Sequence, residues 1–465
     1  MVNFVLRALI LLGLSACFSA QAQTVTAASC SDTAVQAAFN AVTKDGAVVN
    51  IPSGSCTWTK PVRPKCFSTK IKGAGATHTI ITEDLPAGYG NDALFLQNCS
   101  GKSWRVTGID WEFLSGDSII DVHAGSGSSL RVDHNIFHAP ARTVIALAFE
   151  VPIIYPGVVV DHNVLHNAGV LSRKGTPRDP VGRQGAAAWA APMAYETQTS
   201  AVYIEDNTLI LDPGQLGGHL DCDNGGSYVF RHNHDTGVMV GNHGWDTTNN
   251  SCVLEDVYLN TINGAGIAEA AIKYRGGTGV AWGNLISGKY SIGSSGANRF
   301  GITNYRSNAV GSSIHGYCNG YETVDRNTNI ATSVGWGCNE QPGMGSGGSH
   351  PGWARYPIYE WDNCLVSLGC TGTANQVKAN VFDPFRGTSW MKKEIVSNRD
   401  YYDSVTSFKG KAGVGMGTLS ARPSTCTAGV AYWATNTFQL YQCVKTNTWQ
   451  LFYVPFHYPH PLTMG

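Results

Sequence analysis

The sequence predicts an all-β parallel solenoid, and three observations lead there. One phrase recurs along the middle of the chain: an asparagine followed two residues later by an apolar residue, at Asn135, Asn163, Asn207, Asn260 and Asn284, with a polar variant at His232-Asn233-His234-Asp235. The steps between these asparagines are 28, 44, 26, 27 and 24 residues, the size of a stacked supersecondary unit that buries its apolar face only against its neighbours. Short β-rich segments precede the asparagines, such as Leu130-Arg131-Val132, Val158-Val159-Val160 and Tyr228-Val229-Phe230. Composition agrees: only 14% of residues are charged, and 54 are glycine. Asparagine tolerates the left-handed backbone region, and its amide can bond the copies above and below, so each is expected at a tight turn in a ladder.

The elements follow in order. Arg7, the apolar run Ala8 to Leu14 and the small-x-small site Ala20-Gln21-Ala22 read as an export signal over 1–22. Leu14-Ser15-Ala16-Cys17 also resembles a lipobox, which gives lipid anchoring at Cys17 as the lesser alternative to plain secretion or periplasmic export. Ser31 or Asp32 can cap a helix whose face is Val35, Ala38, Phe39 and Val42, stopped by Gly46 and laid over the open end of the solenoid. Coils are expected to about residue 410, with two expansions. One, between Asn163 and Asn207, carries Arg173, Lys174, Arg178 and Arg183; the other, between Asn284 and Asn363, includes Cys318 and Cys338. Residues 411–465 read as a small disulfide-closed β module, and Tyr458 to Leu462 as an extended tail along the solenoid.

Thirteen cysteines are present, and loss of Cys17 on export leaves an even twelve. Even counts in exported chains favour disulfides. Pairing of sequence neighbours gives Cys30–Cys56, Cys66–Cys99, Cys222–Cys252, Cys318–Cys338, Cys364–Cys370 and Cys426–Cys443. The net charge of −1 offers no global attraction to nucleic acid, and no later segment is long and apolar enough to span a bilayer. A monomer is expected.

Four features together resemble the right-handed parallel β-helix proteins of the pectate-lyase-like superfamily. They are the helix followed by Val48-Val49-Asn50-Ile51-Pro52-Ser53-Gly54, the Gly73-Ala74-Gly75 coil, the Val-Asp-His-Asn phrase at 132–135 and 160–163, and Arg275-Gly276-Gly277-Thr278-Gly279. The resemblance covers most of residues 30 to 400 and speaks to fold more than to reaction, because such folds host many activities. It implies an acidic polysaccharide as ligand or substrate.

Reactive side chains concentrate between His219 and Arg275. Residues one repeat apart lie above one another, so Asp221 or Asp223, His243 or Asp246, and Lys273 or Arg275 are expected to line one flank. Under β-elimination on a uronic-acid glycan, Lys273, Arg275 and His243 are the expected catalytic residues. Arg231, His219, Arg173 and Arg178 would bind substrate, and Asp221, Asp223 and Asp246 would hold the Ca²⁺ that the resemblance implies. Asp133-His134-Asn135 and Asp161-His162-Asn163 resemble a calcium-proximal segment of pectate lyases, whereas the Arg-x-Pro-x-x-Arg pattern of those enzymes is absent. Two alternatives stand beside the lyase. Asp221-Cys222-Asp223, Asn242-His243-Gly244 and Ala271-Ile272-Lys273 loosely resemble an inverting, polygalacturonase-like hydrolase. The same cluster also suits a non-catalytic polysaccharide-binding surface protein.

Overall fold

The computed structural model describes residues 22–88, 90–97, 99–123, 127–139, 144–150, 157–173, 201–213, 219–244, 251–265, 270–290, 300–303, 340–348, 352–370, 377–382, 392 and 395–464. Within them the chain winds through three long sheets in which every strand pairing is parallel. Each coil gives one strand to each sheet: Val158–Asp161 to the first, Val164–His166 to the second and Ala168–Arg173 to the third. The first sheet has twelve strands, the second ten and the third nine. This is a parallel β-solenoid, as the repeat predicts.

Register stacks like upon like. On the first sheet Val106, Val132, Val160, Ile204, Phe230, Val257 and Ala281 form one inward column. On the second, Phe137, Leu165 and Leu209 do the same. All belong to a single buried core. Each coil therefore buries its apolar face only between its neighbours, so no coil is stable alone.

The asparagines form the ladder the repeat implies. Asn135, Asn163, Asn207, Asn233, Asn260, Asn284 and Asn363 are linked Nδ2 to Oδ1, each donating to the next over 2.8–3.1 Å. Each Oδ1 also accepts the backbone N–H of the preceding asparagine, as between Asn163 and Asn207 at 2.9 Å. One expectation is corrected. The left-handed residue is not the asparagine but the one before it: His134, His162, Asp206, His232, Leu259, Gly283 and Asp362 have φ between 55° and 65°. That kink lets the amide reach back over one residue, as Asn207 Nδ2 does to the Glu205 carbonyl at 2.9 Å.

The Asp-His-Asn phrases are structural. Asp133 is fully buried and takes a two-pronged ion pair from Arg105, with contacts of 2.8 and 2.7 Å. Asp161 takes the same from Arg131 at 2.9 and 2.8 Å. Bidentate pairing of this kind satisfies both carboxylate oxygens, so these aspartates tie neighbouring coils together on the first sheet.

The helix spans Asp32–Asn40, with Ser31 accepting the Ala34 N–H as its N-cap. It ends at Asn40, short of Gly46, because Gln23 reaches in: its amide donates to the Ala41 carbonyl at 2.9 Å and accepts the Thr43 N–H at 3.0 Å. Val35, Ala38, Phe39 and Val42 all join the core. Five of the six expected disulfides form, Cys30–Cys56, Cys66–Cys99, Cys222–Cys252, Cys364–Cys370 and Cys426–Cys443. The pair Cys318–Cys338 and the export segment lie outside the described residues. No helix among the described residues is long and apolar enough to cross a membrane.

Val414–Gly417, Ala431–Ala434, Gln439–Lys445 and Thr448–Tyr453 make a four-stranded sheet. It packs on the outward face of the first sheet, not on the last coil alone. A second core forms there from Tyr203, Val229, Tyr258, Trp282, Tyr359 and Trp361 against Trp433, Leu440 and Tyr453. Trp433 lies 5.0 Å, ring to ring, from both Trp282 and Trp361. This explains why strands Val280–Trp282 and Ile358–Trp361 are buried on both faces. Beyond Tyr453 the chain runs back along the same face to Arg131, which donates to the Thr463 carbonyl at 3.1 Å.

An inward position of the second sheet breaks the apolar rule. Asp235 stands in register between Leu209 and Ile262. Its Oδ1 accepts the Val238 N–H at 3.0 Å, while Oδ2 is buried without a hydrogen-bond partner. Burial pushes its pKa well above the usual carboxylate range. The folded state thus holds this proton more tightly than the unfolded chain does, and the stability tied to it declines as pH rises above that range. Asp235→Asn keeps the acceptor for Val238 and removes the ionisation. The variant should be more stable at neutral pH, because the parent carboxyl must hold a proton there to stay buried and the amide need not, with a flatter pH dependence. Urea unfolding at several pH values checks this, and a parallel pair of curves would refute it.

Candidate functional site

The third sheet positions the site. Its strands His219–Asp223, Met239–Gly241, Ile272–Tyr274 and Phe300–Ile302 lie side by side. Leu220, Cys222, Val240, Ile272, Tyr274, Phe300 and Ile302 point into the core, so the residues alternating with them face outward. Register Leu220↔Val240, Gly241↔Lys273 and Lys273↔Gly301 puts Asp221, Gly241, Lys273 and Gly301 in one outward column. Two residues on, Asp223, His243 and Arg275 follow in the next. With strands about 4.8 Å apart, the Asp221 and Lys273 backbones are roughly 10 Å apart across Gly241.

Contacts join these columns. His243 Nδ1 lies 3.0 Å from Asp221 Oδ2, and Asp221 Oδ1 accepts the Cys222 N–H at 2.8 Å. Arg173 pairs with Asp223 through Nε at 3.1 Å and a second nitrogen at 3.4 Å. The Cys222–Cys252 disulfide and the Cys252 N–H, donated to the His243 carbonyl at 3.2 Å, brace the loop that carries His243. Lys273 is 1% exposed, with Nζ 5.9 Å from the centroid of the Phe382 ring, and Arg275 is 7% exposed. Glycine at 301 makes the space that Phe382 occupies, since a Cβ there would lie 2.5 Å from that ring. Beneath the face, Glu255 projects inward in register with Tyr228, and burial pushes its pKa well up.

Two residues gain a role that the sequence did not give them. Asn242 is buried, and its Oδ1 accepts the Arg275 and Gly276 N–H groups at 2.7 and 3.2 Å while Nδ2 donates to the Gly276 carbonyl at 2.9 Å. It is a positioning residue for the Arg275 backbone. Glu340 accepts the Ser251 N–H at 2.7 Å, and its carbonyl accepts the Gly277 N–H at 3.2 Å. The only available signal for Asn242 was its place beside His243; Glu340, in the long interval after Asn284, offered none.

The structure therefore brings Arg173, Asp221, Asp223, His243, Lys273 and Arg275 onto successive coils of one sheet. His219 starts the first of these strands; Arg178 and Asp246 lie outside the described residues. Arg231 does not join them. It stands on the first sheet, fully buried, paired with Glu205 at 2.6 Å and donating to the carbonyls of Phe456 and His457 at 2.7 and 2.9 Å. That commitment to the tail removes it from any substrate surface.

The described donors do not fit a calcium site. Both Asp223 oxygens face Arg173, and both Asp221 oxygens are engaged by His243 and the Cys222 N–H. Among the described residues no three His, Cys, Asp or Glu side chains converge on one point suited to a metal. Comparison with family models, with curated proteins and with solved structures finds no match to this chain. Fold and site thus define a disulfide-bonded parallel β-solenoid with a mixed-charge outward face on its third sheet.

Proposed function

We propose that the protein is an exported polysaccharide lyase that cleaves an acidic, uronic-acid glycan by β-elimination. The observation that carries this reading is the stacking of Lys273, Arg275 and an Asp221-held His243 on adjacent coils of one sheet. Elimination removes the proton at C5 beside the uronate carboxylate; the electron pair forms the C4=C5 double bond, the C4–O bond breaks, and the departing oxygen takes up a proton. In this reading Lys273 is the base, Arg275 neutralises the carboxylate and the developing charge, and His243, oriented by Asp221, supplies the proton. No step is assigned to Ca²⁺. Five disulfides support export, because such bonds persist in oxidising compartments.

The enclosure of Lys273 and Arg275 favours a second reading, a non-catalytic polysaccharide-binding protein in which these cations hold coils together. Incubation with a panel of uronate polymers, with and without a chelator, separates the cases. A lyase generates ultraviolet-absorbing unsaturated ends; a hydrolase generates reducing ends alone; a binder retains polymer and cleaves nothing. For the lyase, Lys273→Ala should lower turnover by about 10²–10⁴-fold, the usual contribution of a positioned acid or base. Full activity in a folded Lys273→Ala protein would reject the assignment.

A further inference from the structure

We propose that His138 and His166 form a binding site for one divalent transition-metal cation such as Zn²⁺, held between their Nδ1 atoms on the outward face of the second sheet. The site is separate from the third-sheet face and independent of the proposed reaction. Strands Ile136–His138 and Val164–His166 are neighbours, with His138 directly opposite His166. Phe137 and Leu165 fill the core, so both imidazoles stand outside, 40% and 32% exposed.

Their Nδ1 atoms are 3.4 Å apart. Two Zn–N bonds of about 2.0–2.1 Å meeting at a tetrahedral angle span a chord of about 3.3–3.4 Å. The spacing therefore matches a shared ion, and the ring planes, 78° apart, need only rotate about a soft torsion to aim both lone pairs at it.

The far sides of the rings supply the second half of the argument. Metal-bound histidines characteristically turn the other ring nitrogen to a carboxylate, which keeps the proton there and frees the ligating lone pair. His166 Nε2 is 2.9 Å from Asp212 Oδ1. Asp212 is itself fixed by Asn167, whose amide donates to Oδ2 at 3.0 Å while its Oδ1 accepts the Asp212 N–H at 2.9 Å. His138 Nε2 lies 3.6 Å from Asp110 Oδ1. Imidazole donors select Zn²⁺, Cu²⁺ or Ni²⁺ over Ca²⁺ and Mg²⁺. With two protein ligands, water completes the coordination, and the ion exchanges freely.

A contrasting pair lies nearby. His134 and His162 stack face to face at 5.2 Å, each with Nδ1 turned to its own aspartate, Asp133 or Asp161. Their Nδ1 atoms face carboxylates and not each other, which makes them the control.

The test uses the full chain, stripped by chelation, titrated with Zn²⁺ by calorimetry and with Cu²⁺ by electron paramagnetic resonance. One saturable site with two imidazole nitrogens is expected. His138→Ala and His166→Ala should each weaken it by at least about tenfold, and Asp212→Asn by about 10–100-fold. His134→Ala with His162→Ala should change nothing. All variants are at partly exposed positions, and circular dichroism verifies their fold. Absence of saturable binding, or binding that survives the His138→Ala/His166→Ala double substitution, overturns the proposal.

Discussion

Asn207→Ala lowers the unfolding free energy by about 3–5 kcal/mol. The side chain sits inside the ladder, where Nδ2 donates to the carbonyls of Val160 and Glu205 and to Asn233 Oδ1, over 2.9–3.1 Å. Its own Oδ1 accepts the backbone N–H and the amide of Asn163. Alanine strands several buried groups at once, each worth about 1–3 kcal/mol when left unpaired. The rungs on either side cannot close the gap, because they would stand roughly 10 Å apart across the missing layer. Chemical denaturation measures the loss, with exposed Asn40→Ala as a control that should stay within about 0.5 kcal/mol of the parent. A loss below about 1 kcal/mol would mean that the ladder does not hold the coils in register.

Arg231→Ala has a comparable effect for a different reason. Arg231 and Glu205 are both wholly enclosed, and Arg231 also donates to Tyr258 Oη at 3.0 Å and stacks 4.8 Å from the Tyr203 ring centroid. Removing one partner of a buried pair costs about 3–5 kcal/mol, because the other charge is left without compensation. Burial already raises the Glu205 carboxyl above its ordinary value, with Arg231 opposing the rise. Without that guanidinium the folded state favours protonated Glu205 more strongly, so the defect should shrink in acid and grow as pH rises through the carboxylate range. The same substitution frees the tail, since Phe456 and His457 lose their donor. Denaturation at acidic and neutral pH, paired with limited proteolysis of residues 454–464, tests both consequences. A variant with parental stability and an uncut tail would contradict this account.

The ladder was legible because stacking repeats the same demand at every coil, and a periodic demand leaves a periodic residue. The third-sheet cluster was legible for the same reason: residues 221, 243 and 273 differ by about one repeat, so they fall on one flank whatever the loops between them do. Arg231 misled because ten residues suffice to turn a corner, carrying the chain from the third sheet at Asp221 to the first at Arg231. The seat of the C-terminal sheet was hidden too. Tyr203, Tyr258 and Trp282 announce a doubly buried strand, but a sequence cannot say which surface will cover it. Asp235 was read as a polar variation on the repeat, and only the register shows that it replaces an aliphatic rung.

The order of the chain gives that covered face a further meaning. The solenoid precedes its flank covering in synthesis, so a nascent or truncated polypeptide ending near residue 410 carries a bare stripe of Tyr203, Val229, Tyr258 and Trp282. A contiguous apolar patch of this kind is prone to self-association. Residues 414–464 cover the stripe only once translation is complete, so premature stop codons upstream of them should yield inclusion bodies in place of dispersed protein.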